Sequence, residues 1–181
     1  MIAMNLHLFL DNIYKSNYLE RERVLLLFSG DIMRELEIYT DGSCSTNTGK
    51  GGWGLVVVEN GQIIHEASGA ATDTTNNKME LTAFLEGMKM MDNYGEDCSF
   101  TFYTDSSYIA NCFRDKWYQN WRANGWRTAN RMAVKNQELW QPILRIHDRS
   151  KGRIMICYVK GHADNEFNNR ADTLATSWRG L

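Results

Sequence analysis

Leu36-Glu37-Ile38-Tyr39-Thr40-Asp41-Gly42-Ser43 is the stretch on which the architecture turns. Leu36, Ile38 and Thr40 alternate with Glu37, Tyr39 and Asp41, the period of two expected of a strand with unlike faces. A glycine-rich loop follows over 42–52. Strands are then predicted at 53–59 and 62–68 around Asn60-Gly61, a dipeptide suited to the left-handed positions of a two-residue hairpin turn. Further along, 3.6-residue periodicity predicts a helix over 77–92, a strand over 99–104 and a helix over 106–113. A helix over 136–149, with Pro142 as its weak point, precedes a strand over 153–159. The last helix, 167–178, carries Phe167, Ala171, Leu174, Ala175 and Trp178 on one face. Three antiparallel-looking strands followed by helix–strand alternation predict an α/β fold, a mixed sheet flanked by helices.

The remaining composition bounds the function. A chain of 181 residues with a hydrophobic fraction of 43% suits one domain of ordinary size. The net charge of −2 gives no chain-wide basic field, so any nucleic-acid footprint must be local. Cys44, Cys98, Cys112 and Cys157 form no CxxC pair and no zinc spacing, and are expected as reduced thiols of a cytoplasmic protein. No apolar run approaches the ~18 residues of a membrane span. The first residues lack a basic leader, and Asp11, Asn12 and Lys15 interrupt their apolar stretches, so no signal peptide is expected. Residues 1–33 read apart from the rest, with the charged Glu20-Arg21-Glu22-Arg23, the apolar Val24-Leu25-Leu26-Leu27-Phe28 and the turn signal Ser29-Gly30-Asp31. They are taken as an extension of undefined role, preceding a compact domain over 34–181.

Four acids stand where acids are costly. Asp41 and Asp105 each close a predicted strand, and neighbouring strands lie about 4.8 Å apart. Two carboxylates that close do not both ionise unless a cation joins them, although each aspartate alone could also cap the turn that follows it. Glu80 sits in the first turn of its helix in line with Phe84, Gly87 and Met91, opposite the polar stripe Thr82, Glu86 and Lys89. A carboxylate on an apolar face requires a partner or a metal. Asp172 lies beside the apolar stripe of the last helix, where an exposed flank would also explain it. Acids on several elements without a His/Cys cluster favour a hard, oxygen-loving cation such as Mg²⁺ or Mn²⁺.

These residues resemble the motifs of type 1 ribonuclease H. Tyr39-Thr40-Asp41-Gly42-Ser43-Cys44 with Gly51-Gly52-Trp53-Gly54 is similar to the family's first strand and loop. Thr74-Thr75-Asn76-Asn77-Lys78-Met79-Glu80-Leu81 is similar to its second acidic motif, and Thr104-Asp105-Ser106 to its third. Val159-Lys160-Gly161-His162-Ala163, with Asp172 ten residues after the histidine in Asn169-Arg170-Ala171-Asp172-Thr173-Leu174-Ala175, is similar to its fourth. The stretch 117–141 resembles the basic protrusion of the bacterial subgroup. Ser107 stands where that subgroup often has Gln. The resemblance covers 34 to the end and implies a ribonuclease H-like fold, a five-stranded mixed sheet with its first three strands antiparallel.

The same resemblance implies an endonuclease that hydrolyses the RNA strand of RNA–DNA hybrids and leaves 5′-phosphate and 3′-hydroxyl ends. It implies two Mg²⁺ ions, replaceable by Mn²⁺, with Asp41 bridging them, Glu80 and Asp105 on one side and Asp172 on the other. His162 would move a proton or help product leave, a task its ordinary pKa suits. Asn47, Asn76 and Asn77 would approach the minor groove, where the 2′-hydroxyl marks RNA. Thr75 and Asn136 would line a pocket for a DNA phosphate. The segment 114–135 carries six cations, Arg114, Lys116, Arg122, Arg127, Arg131 and Lys135, against the single acid Asp115. Trp117, Trp121 and Trp126 interleave with them. This is the local footprint that the bulk charge conceals, with some rings expected in the core and the cations, Arg122, Arg127 and Lys135 among them, facing a nucleic-acid backbone. The expected partner is a hybrid duplex bound by a monomer. Two other readings remain: a metal-dependent DNA nuclease or resolvase of the same fold, and a hybrid-binding module without catalysis. The Asn76-Asn77 motif and the Trp/Arg segment count against the first, and the full set of acids against the second.

Overall fold

A computed structural model describes residues 33–161 and 165–180. The extension before Met33 and the candidate His162 lie outside the described residues. One sheet of five strands forms the frame: β1 (Arg34–Cys44), β2 (Gly51–Glu59), β3 (Gln62–Ala71), β4 (Cys98–Thr104) and β5 (Ile154–Tyr158), in the order β3-β2-β1-β4-β5. β1–β2 and β2–β3 pair antiparallel, and β4–β5 parallel, as the mixed-sheet expectation requires. Asn60 and Gly61 turn the β2–β3 hairpin at φ 52° and 74°, the left-handed pair of the predicted tight turn.

Among the described residues are five α-helices. They are α1 (Asn76–Met90), α2 (Ser107–Arg114), α3 (Trp117–Ala123), α4 (Gln137–Arg149) and α5 (Glu166–Thr176), and a short 3₁₀ turn, Ser177–Gly180, follows the last. Thr75 caps α1, its Oγ1 accepting from the Lys78 N–H at 3.3 Å. Pro142 does not break α4. Trp140, Ile143 and Leu144 on either side of it are all fully buried, and each such side chain contributes about 1.5–3 kcal/mol by leaving water, which offsets one missing helix bond.

One face of the sheet packs Leu36, Ile38, Leu55, Val57, Phe100 and Phe102 against α1, α2 and α4. On the other face Tyr39, Val56 and Val58 meet Ala171, Phe167 and Leu174 of α5. Gly87 permits the α1 contact: a Cβ there would lie 3.1 Å from Ile38 Cγ2 and 3.2 Å from Phe102.

Several boundaries differ from the expected ones, most of all around the glycine loop and at β3, which runs on to Ala71 instead of ending at Ser68. Asp41 does not end its strand; β1 continues through Cys44 because Gly54, Trp53, Gly52 and Gly51 of β2 pair with Asp41, Gly42, Ser43 and Cys44. The glycine loop is correspondingly shorter, since its Gly51 and Gly52 belong to β2. Within 114–135, Trp117–Ala123 is helical, and an isolated bridge joins Arg127 to Ala133.

Candidate active site

β1 and α1 touch backbone to backbone at Gly42. A Cβ there would fall 2.1 Å from the Glu80 nitrogen, so only glycine lets the strand reach the first turn of the helix. That contact sets Glu80 beside Asp41. Gly54, paired with Asp41 across β1–β2, does the same for α5: a Cβ would lie 2.4 Å from the Ala171 carbonyl oxygen, and Asp172 is the next residue. Gly161, after β5, leaves room for Asp105, whose Oδ2 would be 2.5 Å from an added Cβ. Three close approaches thus bring acids from β1, α1, the end of β4 and α5 together.

Asp41, Glu80, Asp105 and Asp172 line one cavity of about 440 Å³, with Asn76 and Thr176 also on its wall. Their charges act on one another. Burial, then the charges of Asp105 and Asp172, push the Asp41 carboxyl up to about 8, although the Gly42 N–H donates to its Oδ1 at 2.7 Å. Burial raises Glu80 as well, and the Asp105 charge adds to that, while the Ser106 hydroxyl donates to Glu80 Oε2 and opposes it. Among the described residues no three His, Cys, Asp or Glu side chains converge tightly enough to hold one ion as they stand. The donor set fits a divalent oxygen-seeking cation nonetheless. It is all carboxylate, it encloses space, and the negative charge crowded around Asp41 is what a cation would relieve.

The other sequence candidates fall into two groups around this cavity. Asn76 Oδ1 accepts from the Cys44 N–H at 2.7 Å, tying the end of β1 to the start of α1. Asn47, Thr75 and Asn77 are exposed at the same end. In the basic segment, Trp121 is only 7% exposed and packs on Trp140 and Trp126 at centroid distances of 5.5 and 6.2 Å. Its role is to anchor the segment to the core. Trp117 is partly exposed and, with Asn120, Asn124 and Arg127, lines a cleft of about 270 Å³. Arg122 pairs with Asp148 through two hydrogen bonds at 2.7 and 3.3 Å, and Arg127 donates to the Arg131 carbonyl at 2.8 Å. Lys135 is exposed and Asn136 half-buried at φ 57°.

The family model for RNase H matches residues 33–179. The chain belongs to the ribonuclease H family. It is 47% identical over 144 residues to the ribonuclease H of Acetivibrio thermocellus, covering 80% of this chain and 94% of that one. To the ribonuclease H of Chlorobium luteolum it is 44% identical over 144 residues, covering 80% and 94%. Among solved structures it is similar to LC9-RNase H1, a type 1 RNase H with the type 2 active-site motif, at a TM-score of 0.69 and 28% identity. That match covers 82% of this chain and 73% of the other. The foamy viral protease-reverse transcriptase in complex with an RNA/DNA hybrid also matches, at a TM-score of 0.69 and 26% identity over 81% of this chain and 20% of that one. The protein is therefore a ribonuclease H enzyme, and no helix among its described residues is long and apolar enough to cross a membrane.

In this ribonuclease H two contributors escaped the sequence reading. Ser106 follows Asp105 and reads as the first residue of the next helix, yet its hydroxyl goes to Glu80. Gly42 reads as a turn residue, yet it is the contact point between β1 and α1.

Proposed function

We propose that the chain hydrolyses the RNA strand of RNA–DNA hybrids at the Asp41, Glu80, Asp105 and Asp172 cavity, with two divalent ions, Mg²⁺ or Mn²⁺, leaving 5′-phosphate and 3′-hydroxyl ends. The observation that carries this is the meeting of four carboxylates from four elements in one cavity of a ribonuclease H family chain. Asp41, the most deeply seated, would be shared between the ions, with Glu80 and Asp105 helping to hold one and Asp172 the other. Bound divalent metal supplies an activated water and charge stabilisation at the leaving oxygen. The chain's own part is to aim the carboxylates and to oppose the rise that burial imposes on them. The Gly42 N–H does this for Asp41, and the Ser106 hydroxyl does it for Glu80. His162 would move a proton near the leaving group.

The hybrid would lie across the sheet edge, with Asn47, Asn76 and Asn77 towards its minor groove. Thr75 and Asn136 would meet a DNA phosphate. Arg122, Arg127, Lys135 and the exposed part of Trp117 would follow the backbone, with Trp121 holding the segment in place. Support for the hybrid as substrate comes from the similar foamy viral protein solved with an RNA/DNA hybrid. Four free thiols, at Cys44, Cys98, Cys112 and Cys157, suit work in the reducing cytoplasm, and one domain over 34–181 acting as a monomer suffices for the chemistry. The test is cleavage of matched RNA–DNA, RNA–RNA and DNA–DNA duplexes with Mg²⁺ and with chelator. Metal-dependent cutting of the hybrid's RNA alone is expected. Cutting of DNA–DNA duplex, or none of the hybrid, overturns the reading.

A further inference from the structure

A second cavity, of about 400 Å³, opens beside Lys50, Gly51, Ala70, Ala71, Thr72 and Trp178. Its size is within the range of small-ligand sites. Its walls are of two kinds. Gly51, Ala70 and Ala71 present almost no side chain, so a flat group can approach the ends of β2 and β3. Trp178 supplies an aromatic ring, set close over the backbone at Gly52, where an added Cβ would be 2.5 Å from its Cδ1. Lys50 is exposed at the mouth and brings a positive charge. A stacking ring, a bare floor and one cation are the elements that bind single-stranded nucleic acid without reading its sequence.

The cavity also neighbours the acid site along the sheet. Gly51 pairs with Cys44 and Gly52 with Ser43, and Ser43 lines the acid cavity. Asp172 and Thr176 of α5 face that cavity as well, and Trp178 follows them in the closing 3₁₀ turn. Six residues from Asp172 to Trp178 span roughly 10 Å along the axis, about three nucleotides of one strand at ~3.4 Å each. A strand whose phosphate entered the acid cavity would reach Trp178 about three nucleotides away.

We infer that the Lys50–Trp178 cavity is a subsite for an unpaired base of the RNA strand about three nucleotides from the cut. Within a continuous duplex the bases are paired and stacked inside, and a pocket at the strand's flank takes only a base that has left the stack, which is least costly where the strand is already single. The subsite thus directs cleavage towards places where RNA departs from its DNA partner. This rests on the hybrid-cleavage reading above.

The test uses the full chain and one hybrid duplex prepared blunt, with four-nucleotide RNA overhangs at the 5′ or the 3′ end, and with the same overhangs in DNA. Wild type should show a KM about tenfold lower for one RNA-overhang form than for the blunt form, with cuts shifted towards that end. In Trp178→Ala the ratio of the two KM values should fall to about one, whatever the variant's activity on the blunt hybrid. Trp178→Phe should retain most of the ratio. Lys50→Glu, which leaves the ring in place, should reduce it. Equal KM for blunt and overhanging forms in wild type overturns the subsite. So does a ratio that survives both Trp178→Ala and Lys50→Glu, or an advantage confined to DNA overhangs. Failure of wild type to cut any hybrid overturns the functional reading instead, so the two failures are distinct.

Discussion

Replacing Asp41 with Asn should destroy activity and stabilise the metal-free protein. The side chain is 8% exposed and faces Asp105 and Asp172, and its carboxyl is pushed from 3.8 up to about 8. A carboxyl whose folded pKa is raised contributes stability fully present below pH ~4 and lost as pH climbs towards ~8. The shift covers about four pH units, each about 1.4 kcal/mol, so about 6 kcal/mol is the ceiling. The cavity is open to water and an effective dielectric near ~20 governs such sites, which brings the measurable cost to about 2 kcal/mol. Asn keeps the shape and still accepts from the Gly42 N–H, but it never ionises. In chelator, Asp41→Asn should therefore melt like wild type near pH 4 and about 4–8 °C higher at pH 8. The difference between the proteins isolates Asp41 from the other titrating groups. With Mg²⁺ at 100 times its dissociation constant, wild type should gain about 2.7 kcal/mol, and the variant little. An Asp41→Asn protein that melts at or below wild type at pH 8 in chelator, or a difference that ignores pH, would refute the reasoning.

Ser106→Ala should raise the Mg²⁺ concentration needed for half-maximal activity and weaken Mg²⁺ binding by calorimetry, while Ser106→Thr retains both; unchanged Mg²⁺ binding in the alanine variant removes the positioning role. His162→Ala should slow turnover by about 10²–10⁴-fold, and a profile matching wild type across pH 6–9 ends its assignment. An Arg122→Ala, Arg127→Ala, Lys135→Ala triple variant should raise KM several-fold. Its log–log salt dependence should flatten by about 0.9 for each phosphate no longer neutralised, and an unaltered slope moves the binding surface elsewhere. A protein beginning at Met33 should cleave hybrids at a rate similar to the full chain, and a tenfold fall in a well-folded product shows that the preceding residues take part.

The sheet was legible because its signals are local. Alternation in Leu36–Asp41 and the Asn60-Gly61 turn need no knowledge of distant residues, and both stand in the structure as read. The limits of β1 were not legible. Glycines suggested a loop from Gly42 onward, but Gly51, Gly52 and Gly54 are small because neighbouring segments, α5 and Trp178 among them, press on β2, not because the chain turns there. Composition cannot separate a glycine that bends from one that is crowded. The limits of the helix Trp117–Ala123 were not legible either: it enters at Lys116 with φ 54° and spans only seven residues, too short for its periodicity to register, although Trp117 and Trp121, four residues apart, share its core-facing side.

The acids differ in the same way. Glu80 was legible as a charge in line with Phe84, Gly87 and Met91, all of which the structure buries. Asp172 was legible only through its motif, since a half-exposed flank of a helix is an ordinary place for an acid, and the closeness of α5 to β2 at Gly54 is what brings it to the cavity. Ser106 shows what tells such cases apart. It holds the N-cap position of α2 but makes no side-chain cap bond there, although serine is among the preferred caps and a cap bond is worth about 1 kcal/mol. Its hydroxyl donates to Glu80 instead. A polar side chain that leaves its local hydrogen bond unmade for a distant carboxylate holds that carboxylate in place, and in this fold the carboxylate belongs to the site where the four acids meet.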